Sequence, residues 1–265
     1  MARGHCAIML TLVGGPEGRD SQPKSSPMTD PTTHSWLVSP REAAAIQDGL
    51  RDQVVFTDRL GPVRLVAGVD VGIQGGVARA AIVVLRYPEL DLVEVSTAER
   101  QAEFPYVPGL LAFREAPAIL EAWARLRADP DLILFDGHGM AHPRRMGIAC
   151  HLGLALDRPS IGCAKSRLCG EHQEPGDAVG DWAPLTDGGE CIGAAVRTRS
   201  RKRPVFVSVG HRLCLQTAIA LTLSCCRGYR LPEPTRQAHL AARLGLATSC
   251  DPGGTARTLL TECSQ

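Results

Sequence analysis

Aromatic residues are scarce in this chain of 265 residues, where Phe, Trp and Tyr together make up 4%. A hydrophobic core must therefore be built mainly from Val, Leu, Ile and Ala. No window approaches the roughly 18 uncharged apolar residues that a membrane-spanning helix requires, so we expect no integral helical membrane protein. Neither sign of charge dominates, because 29 Lys and Arg face 28 Asp and Glu. This balance excludes a uniformly basic protein but allows a local basic surface.

Cysteine patterns typical of zinc sites are also missing, although the chain contains ten cysteines. No C-x-x-C occurs, and no Cys/His pairs stand at zinc-finger spacing. Most of the cysteines lie in apolar stretches such as IACHLGLAL, where a reduced cysteine behaves as a small apolar side chain. We therefore expect a cytoplasmic protein in a reducing environment.

The pattern predicts a single folded domain over residues 39–245, since a hydrophobic content of 44% is too high for an unfolded chain. We expect residues 1–38 to be disordered or a non-native extension, with Met28 as the better start of the natural protein. Residues 246–265 are expected to form a frayed tail.

The predicted helices and strands follow an order typical of a mixed sheet. The first helix begins at Ser39, which forms a capping box with Glu42. Three strand-like runs with short connections predict antiparallel strands, and a helix, a buried strand, a helix and a strand follow. In chain order these segments cover residues 63–71, 78–87, 92–103, 112–128, 131–136, 144–156 and 160–166. Two further strands over residues 191–198 and 204–210 and two last helices over about residues 215–227 and 235–244 complete the predicted domain. We therefore predict an α/β fold, in which a mixed sheet of three antiparallel and then parallel strands is flanked by helices.

Three acidic residues stand at special places in this predicted fold. Asp70 closes the first strand, Glu115 lies early in the next helix, and Asp136 ends the apolar strand LILFD. Each has an ordinary explanation by itself, as a turn residue or as a partner of the helix dipole. If the first and fourth strands pair in parallel, however, Asp70 and Asp136 lie side by side. Carboxylates brought together in this way repel each other and favour a hard divalent cation such as Mg²⁺ or Mn²⁺.

Six sequence blocks carry a resemblance to a known family. They are VAGVDVG (66–72), PYVPGLLAFRE (105–115), DGHGMAHPRRMG (136–147), IGCAKSRLCG (161–170), SVGHR (208–212) and CCRGYRLPEPTR (225–236). In this order they resemble the signature blocks of endonuclease V, a family that nicks DNA beside deaminated bases, chiefly inosine. The resemblance spans about residues 39–244 and implies a ribonuclease H-like fold, which agrees with the predicted strand order.

The resemblance also implies the residues of the active site. Asp70 and Asp136 would bind the metal directly, with Glu115 completing the acidic site. The expected cofactor is Mg²⁺, for which Mn²⁺ can substitute.

Three further side chains are expected to take part in the chemistry. Lys165 would hold the phosphate or the charge that develops on it. His142 and His211 would orient water or phosphate, or protonate the leaving group. A buried structural role remains the alternative for each of the two histidines.

The blocks also imply residues that contact the substrate. Tyr106, in its Pro-Tyr-Val-Pro turn, is expected to act as a wedge that holds the base stack open. Arg144 and Arg145 are expected to bind DNA phosphates. Main-chain groups of four residues would read the flipped base, unless their glycines serve turn geometry alone: Gly109, Leu111, Gly137 and Ile148.

The expected function is therefore that of a Mg²⁺-dependent endonuclease that initiates repair of deaminated purines in DNA. It would cut the second phosphodiester bond 3′ to hypoxanthine, in double- or single-stranded DNA, and leave 3′-hydroxyl and 5′-phosphate ends. The expected protein is a monomer with no membrane partner. Two alternatives stay open, namely an inosine-specific ribonuclease and a non-catalytic protein that binds inosine-containing nucleic acid.

Overall fold

The computed structural model of the chain describes residues 34–244. The predictions for residues 1–33 and 246–265 lie outside the described residues. Within the described range, none of the helices is both long enough and apolar enough to span a membrane. Ahead of the predicted domain start at Ser39, the ring centroid of Trp36 lies 5.5 Å from that of Phe113 and 4.7 Å from that of His151.

The helices agree with the predicted order. They are α1 (Pro40–Leu50), α2 (Leu111–Ala124), α3 (Ile148–Ala155), α4 (Leu215–Ser224) and α5 (Glu233–Leu244). The capping box of α1 is confirmed, because the backbone N–H of Ser39 donates to Glu42 Oε2 (2.9 Å) and that of Glu42 donates to Ser39 Oγ (3.3 Å). The helix predicted from residue 144 starts only at Ile148, since Arg145 has a φ of 56° that no α-helix accepts.

Eight strands form one sheet. They are β1 (Leu65–Gln74), β2 (Val77–Arg86), β3 (Asp91–Gln101), β4 (Leu132–Phe135), β5 (Ser160–Ala164), β6 (Trp182–Asp187), β7 (Glu190–Val196) and β8 (Val205–His211). Their order across the sheet is β3-β2-β1-β4-β5-β8-β7-β6. Strands β1, β4 and β5 are parallel neighbours, whereas the strands on either side of them pair antiparallel. The predicted mixed α/β sheet is confirmed.

Strand β6 was not predicted, because it lies in a Pro- and Gly-rich acidic stretch. Its burial nevertheless alternates, with Ala183 and Leu185 buried and Trp182 and Pro184 exposed. This alternation is typical of a strand with one solvated face, and an edge strand tolerates a proline because one row of its N–H groups needs no partner.

Helices cover both faces of the sheet because successive strand residues point to opposite sides. On one face, Val66 and Leu132 pack with residues of α4 and α5. On the other face, Ala67 and Ile133 pack with residues of α2 and α3. Helix α5 approaches β1 very closely at Gly68, where a Cβ atom would lie 2.0 Å from the carbonyl oxygen of Pro234. This glycine therefore allows α5 to lie directly against the first strand.

Candidate active site

The carboxyl ends of the three parallel strands bring the predicted acidic residues together. Val69 of β1 pairs with Phe135 of β4, so Asp70 and Asp136 are the next residues at the same edge of the sheet. Lys165 follows β5 at this edge. The side chains of Asp70 and Asp136 are 12% and 8% exposed, so both carboxylates lie in a largely desolvated place. The predicted parallel pairing of the first and fourth strands is confirmed.

A histidine of α5 completes this group. His239 Nδ1 lies 2.7 Å from Asp70 Oδ2, and one ligand atom each from Asp70, Asp136 and His239 lie within 4.8 Å of one another. Two carboxylates and an imidazole, half-buried and converging, form a donor set that suits a divalent cation. Sequence reasoning had assigned His239 no role, because it lies three residues beyond the last matched block and 169 residues from Asp70. Its position on the predicted last helix was the one available signal.

Glu115 lies near this group but is not one of the three converging residues. Burial raises the pKa of its carboxyl well above the usual range, and the charges of Asp70 and Asp136 raise it further. Burial and the neighbouring Asp70 likewise raise the pKa of Asp136, while Lys165 opposes that rise. Burial and mutual repulsion therefore disfavour the charged forms of these two carboxyls, as expected for carboxylates that a metal would stabilise.

Lys165 is held between two members of the group. Its Nζ lies 2.5 Å from Asp136 Oδ2 and 3.4 Å from His239 Nδ1. Arg230 fixes the main chain at this point, because its Nη2 donates to the carbonyl oxygen of Lys165 (2.5 Å) and to that of Pro204 (2.8 Å). The ammonium group is thus positioned beside the carboxylates, as the prediction requires.

The structure does not place His211 in the active site. Strand β8 runs antiparallel to β5, and His211 pairs with Ser160 at the start of β5, at the opposite edge of the sheet from Lys165. The backbone N–H of Val55 donates to His211 Nδ1 (3.2 Å), and burial lowers the pKa of this buried imidazole to about 4. The catalytic role predicted for His211 is therefore corrected to a structural one, since a strand that runs the other way carries its last residue away from the carboxylates.

A pocket of about 230 Å³ is lined in part by His138 and Ser166, which follow Asp136 and Lys165 closely in the chain. Its lining includes Tyr106, Gly109, Leu111, His142 and Ile148, five of the predicted residues. The volume is below the roughly 300–1,000 Å³ of pockets for drug-sized molecules, so the pocket suits a group the size of a single nucleobase.

Tyr106 and Gly137, which were both predicted to contact the substrate, have different surroundings in the structure. The side chain of Tyr106 is 72% exposed, so it is not a core aromatic. Gly137 is not among the lining residues, and a Cβ atom there would lie 2.7 Å from Ile148 Cγ2. Gly137 thus allows Ile148 to pack closely behind the loop that joins Asp136 to the pocket.

His142, Arg144 and Arg145 form internal contacts. His142 Nε2 and Arg144 Nη2 each lie 2.8 Å from the carbonyl oxygen of Gly109. Burial lowers the pKa of His142 to about 4, so its imidazole is neutral at physiological pH. Arg145 pairs with Asp187 (2.9 Å) and Glu190 (2.7 Å) at the β6–β7 hairpin. The guanidinium groups of both arginines, predicted to bind phosphate, are therefore engaged within the protein.

Comparison with known proteins identifies the family. A family model described as Endonuclease V matches residues 48–240. The chain belongs to the endonuclease V family. Among its relatives, the Endonuclease V of Roseiflexus sp. (strain RS-1) is 55% identical over 210 residues, which cover 79% of this chain and 95% of the relative. That of Methanothrix thermoacetophila is 54% identical over 207 residues, which cover 78% of this chain and 92% of the relative.

Solved structures of endonuclease V share the fold. The enzyme of Streptomyces avermitilis has a TM-score of 0.76 and 45% identity, and the match covers 79% of this chain and 94% of that one. The Ciona intestinalis endonuclease V has a TM-score of 0.68 and 30% identity, with coverage of 77% and 96%. It was solved in complex with a 24mer DNA containing an inosine followed by a ribo-adenosine. As an endonuclease V, the chain is a nuclease.

Proposed function

We propose that this endonuclease V recognises hypoxanthine, the base of inosine, in DNA and cleaves the second phosphodiester bond 3′ to it. The products carry 3′-hydroxyl and 5′-phosphate ends, and the nick initiates DNA repair. One observation carries the proposal: the converging group of Asp70, Asp136 and His239 lies beside a pocket of nucleobase size, and the short segment 136–138 joins the two. The DNA bound by the Ciona intestinalis relative, which contains inosine, supports the choice of base.

The proposed cofactor is Mg²⁺, for which Mn²⁺ substitutes. Asp70, Asp136 and His239 would hold it, with the carboxyl of Glu115 nearby. A divalent cation held there would supply the means to activate a water molecule and to neutralise charge on the phosphate. The protein's own part is to keep the carboxylates desolvated and convergent, which the parallel pairing of β1 and β4 supports.

Lys165 is proposed to hold the scissile phosphate. Its ammonium group lies at the carboxylate edge, 2.5 Å from Asp136, and carries a positive charge that a phosphate oxygen can approach. His239 is proposed to orient Asp70 through their 2.7 Å contact. Lys165 directly follows β5 of the sheet, and His239 lies on α5, which packs against β1, so the fold brings both side chains to the carboxylate edge.

The flipped base is proposed to enter the pocket while Tyr106 fills the gap that it leaves in the stack. An exposed ring in a turn flanked by prolines suits this wedge role. Leu111 and Ala112, the first residues of α2, line the pocket, and Leu110 before them has no side-chain oxygen with which to cap the first N–H groups of the helix. These N–H groups are therefore suitable partners for the carbonyl oxygen of hypoxanthine.

A nicking assay tests the proposal. The purified protein with Mg²⁺ is expected to cut a duplex that contains one inosine much faster than the matched undamaged duplex, and chelation of the metal is expected to stop the reaction. The products are sized to locate the cut. Equal cutting of the two duplexes, or a cut at another bond, contradicts the proposal.

An inosine-specific ribonuclease is the second candidate. It is favoured by the DNA in the Ciona intestinalis complex, where a ribo-adenosine follows the inosine, so that relative accepts a 2′-hydroxyl at that position. Matched DNA and RNA strands with one inosine each are cut in parallel. Faster cleavage of the RNA would assign the ribonuclease activity instead.

We also propose that the enzyme acts as a monomer, since the converging group of Asp70, Asp136 and His239 and the pocket are both built from one chain.

A cytoplasmic location is proposed as well. The cysteines in the described part of the chain are all free, which fits a reducing compartment.

A further inference from the structure

Gln47 of α1 is a buried glutamine whose amide is fully used. Its side chain is 1% exposed. Its Nε2 donates to the carbonyl oxygens of Gly109 (3.1 Å) and Met146 (2.9 Å), and its Oε1 accepts a hydrogen bond from Arg144 Nε (2.7 Å). An amide with two donors and an acceptor engaged in this way has one orientation, because a flip would face like groups. Gln47 therefore ties α1 both to the turn that carries Tyr106 and to the loop after Asp136.

The carbonyl oxygen of Gly109 is the centre of this arrangement. Besides Gln47 Nε2, it lies 2.8 Å from both His142 Nε2 and Arg144 Nη2. The backbone N–H of Arg144 donates to His142 Nδ1 (3.1 Å), so Nε2 carries the imidazole hydrogen and donates to the carbonyl. One carbonyl oxygen thus faces three donors from α1 and from the loop after Asp136, which sets the orientation of the Gly109–Leu110 peptide.

Gly109 is suited to this position by its backbone. It has a φ of 80°, in the left-handed region that glycine adopts without strain. A Cβ atom there would approach Arg144 Nη2 to 3.1 Å and His142 Nε2 to 3.3 Å. The residue lies between the turn of Tyr106 and Leu111 at the start of α2, so its peptide orientation decides how both face the pocket.

We propose that Gln47 is a positioning residue for base recognition. By holding the Gly109 carbonyl, it aligns the wedge turn and the first N–H groups of α2 with the pocket, which Gln47 itself helps to line. The match to the endonuclease V family model covers residues 48–240 and so begins just after Gln47. The inference rests on the proposed function, because it concerns how the same pocket selects inosine.

Two substitutions and one control test this role. Gln47→Leu fills the buried site with an apolar side chain of similar size and removes all three hydrogen bonds. Gln47→Glu keeps an acceptor for Arg144 and removes both donors, so it serves as a second variant if Gln47→Leu does not fold. Leu50→Ala, a buried change in the same helix, is the matched control, because Leu50 packs with Val54, Met146 and Cys150 and its side chain makes no hydrogen bond to Gly109. The control weakens the packing of α1 and leaves the bonds to Gly109 in place.

Three quantities are measured for each protein. The ratio of dissociation constants for undamaged and inosine duplexes reports discrimination, and 2-aminopurine fluorescence next to the inosine reports opening of the base stack. The single-turnover nicking rate at saturating protein reports the chemistry. Both Gln47 variants are expected to lose about tenfold in discrimination, which is the factor that corresponds to roughly one buried hydrogen bond. They are also expected to lose most of the 2-aminopurine signal, and the saturated nicking rate should fall no further than that signal does, because the metal-binding group is unchanged.

The outcomes separate the two proposals. A parent protein that does not prefer inosine overturns the proposed function and this inference with it. If the parent prefers inosine and the Gln47 variants keep that preference and the 2-aminopurine signal, this inference alone is overturned. The same applies if Leu50→Ala, at an equal loss of thermal stability, loses discrimination to the same extent, because the effect would then come from general loosening of α1.

Discussion

The acidic group, which here means Asp70, Glu115 and Asp136, lies near the pocket, but the two regions differ in how far their own side chains satisfy their polar groups. At the acidic group, desolvated carboxylates repel one another, and the pKa values of Glu115 and Asp136 are raised. At the pocket, a neutral carbonyl oxygen of Gly109 is surrounded by donors, and His142 is kept uncharged. The first region is destabilised by its own charges, whereas the second is satisfied internally.

This difference indicates that the residues for phosphodiester cleavage and the residues for base recognition form two separate parts of the site. The acidic group sits on the ends of parallel strands, where Lys165 supplies one positive charge beside Asp136 and a metal would supply more. The pocket sits on loops and depends on hydrogen bonds to the main chain. The two parts meet at Asp136, from which the loop leads to His138 and His142 in the pocket lining. Substitutions in one part are therefore expected to spare the other.

The largest effect is expected for Asp136→Asn. The change keeps the size of the side chain but removes a charge from the group that would hold the metal, so nicking should fall by orders of magnitude. Binding of the inosine duplex should be retained, because Tyr106 and the pocket are unchanged. Single-turnover nicking and equilibrium DNA binding are measured on the same preparation. Nicking at the parental rate would show that this carboxylate does not belong to the active centre.

Tyr106→Ala is expected to have the converse effect. Stacking of an aromatic ring on a base is worth about 1–3 kcal/mol, so affinity for the inosine duplex should fall by roughly ten- to a hundredfold. Metal binding, followed by titration calorimetry, should not change, because Tyr106 is an exposed residue of the pocket rim. An unfolded variant would contradict the wedge role, because removal of an exposed ring that contacts only DNA should leave the fold intact.

Glu115→Gln is expected to stabilise the metal-free protein while it reduces nicking. Folding raises the pKa of the Glu115 carboxyl above its ordinary value of 4.5. The stability that the protonated carboxyl contributes is fully present below pH 4.5 and is lost as the pH rises through the raised pKa, whereas glutamine does not titrate. The melting temperature of the variant should therefore exceed that of the parent by a margin that grows with pH. For a domain of this size the gain is about 2–4 °C per kcal/mol. Thermal melts at several pH values with a chelator measure it, and a margin that shrinks as the pH rises would contradict the prediction.

The smallest effect on nicking is expected for His211→Gln. His211 lies at the opposite edge of the sheet, and its Nδ1 accepts a hydrogen bond from the backbone of Val55. The glutamine amide oxygen can accept the same bond, so nicking should stay within about twofold, the factor that a change of roughly 0.5 kcal/mol produces. A loss comparable to that of Asp136→Asn would restore the catalytic role predicted from the sequence.

Local patterns were enough to predict much of the fold and the core of the site. The capping box at Ser39 and the apolar run that ends at Asp136 mark where elements begin and end, and the structure bears out both. Asp70 and Asp136 were placed together because strand ends are encoded by nearby residues and parallel strands share an edge. The flanking prolines of Tyr106 likewise act on the adjacent backbone, so its exposure follows from the local sequence.

The docking of distant elements was decided by the tertiary structure. His239 reaches Asp70 because Gly68 lets α5 lie against β1, and Arg145 is engaged by acids of a hairpin whose first strand, β6, has no clear local signal. His211 is carried away from the site by the direction of β8, which no residue near position 211 determines. Strand direction and helix docking depend on packing summed over the whole sheet, whereas periodicity, caps and turns depend on neighbours in the chain. The sequence by itself therefore determined which residues end the strands and carry charge, and the assembled sheet decided which of them meet.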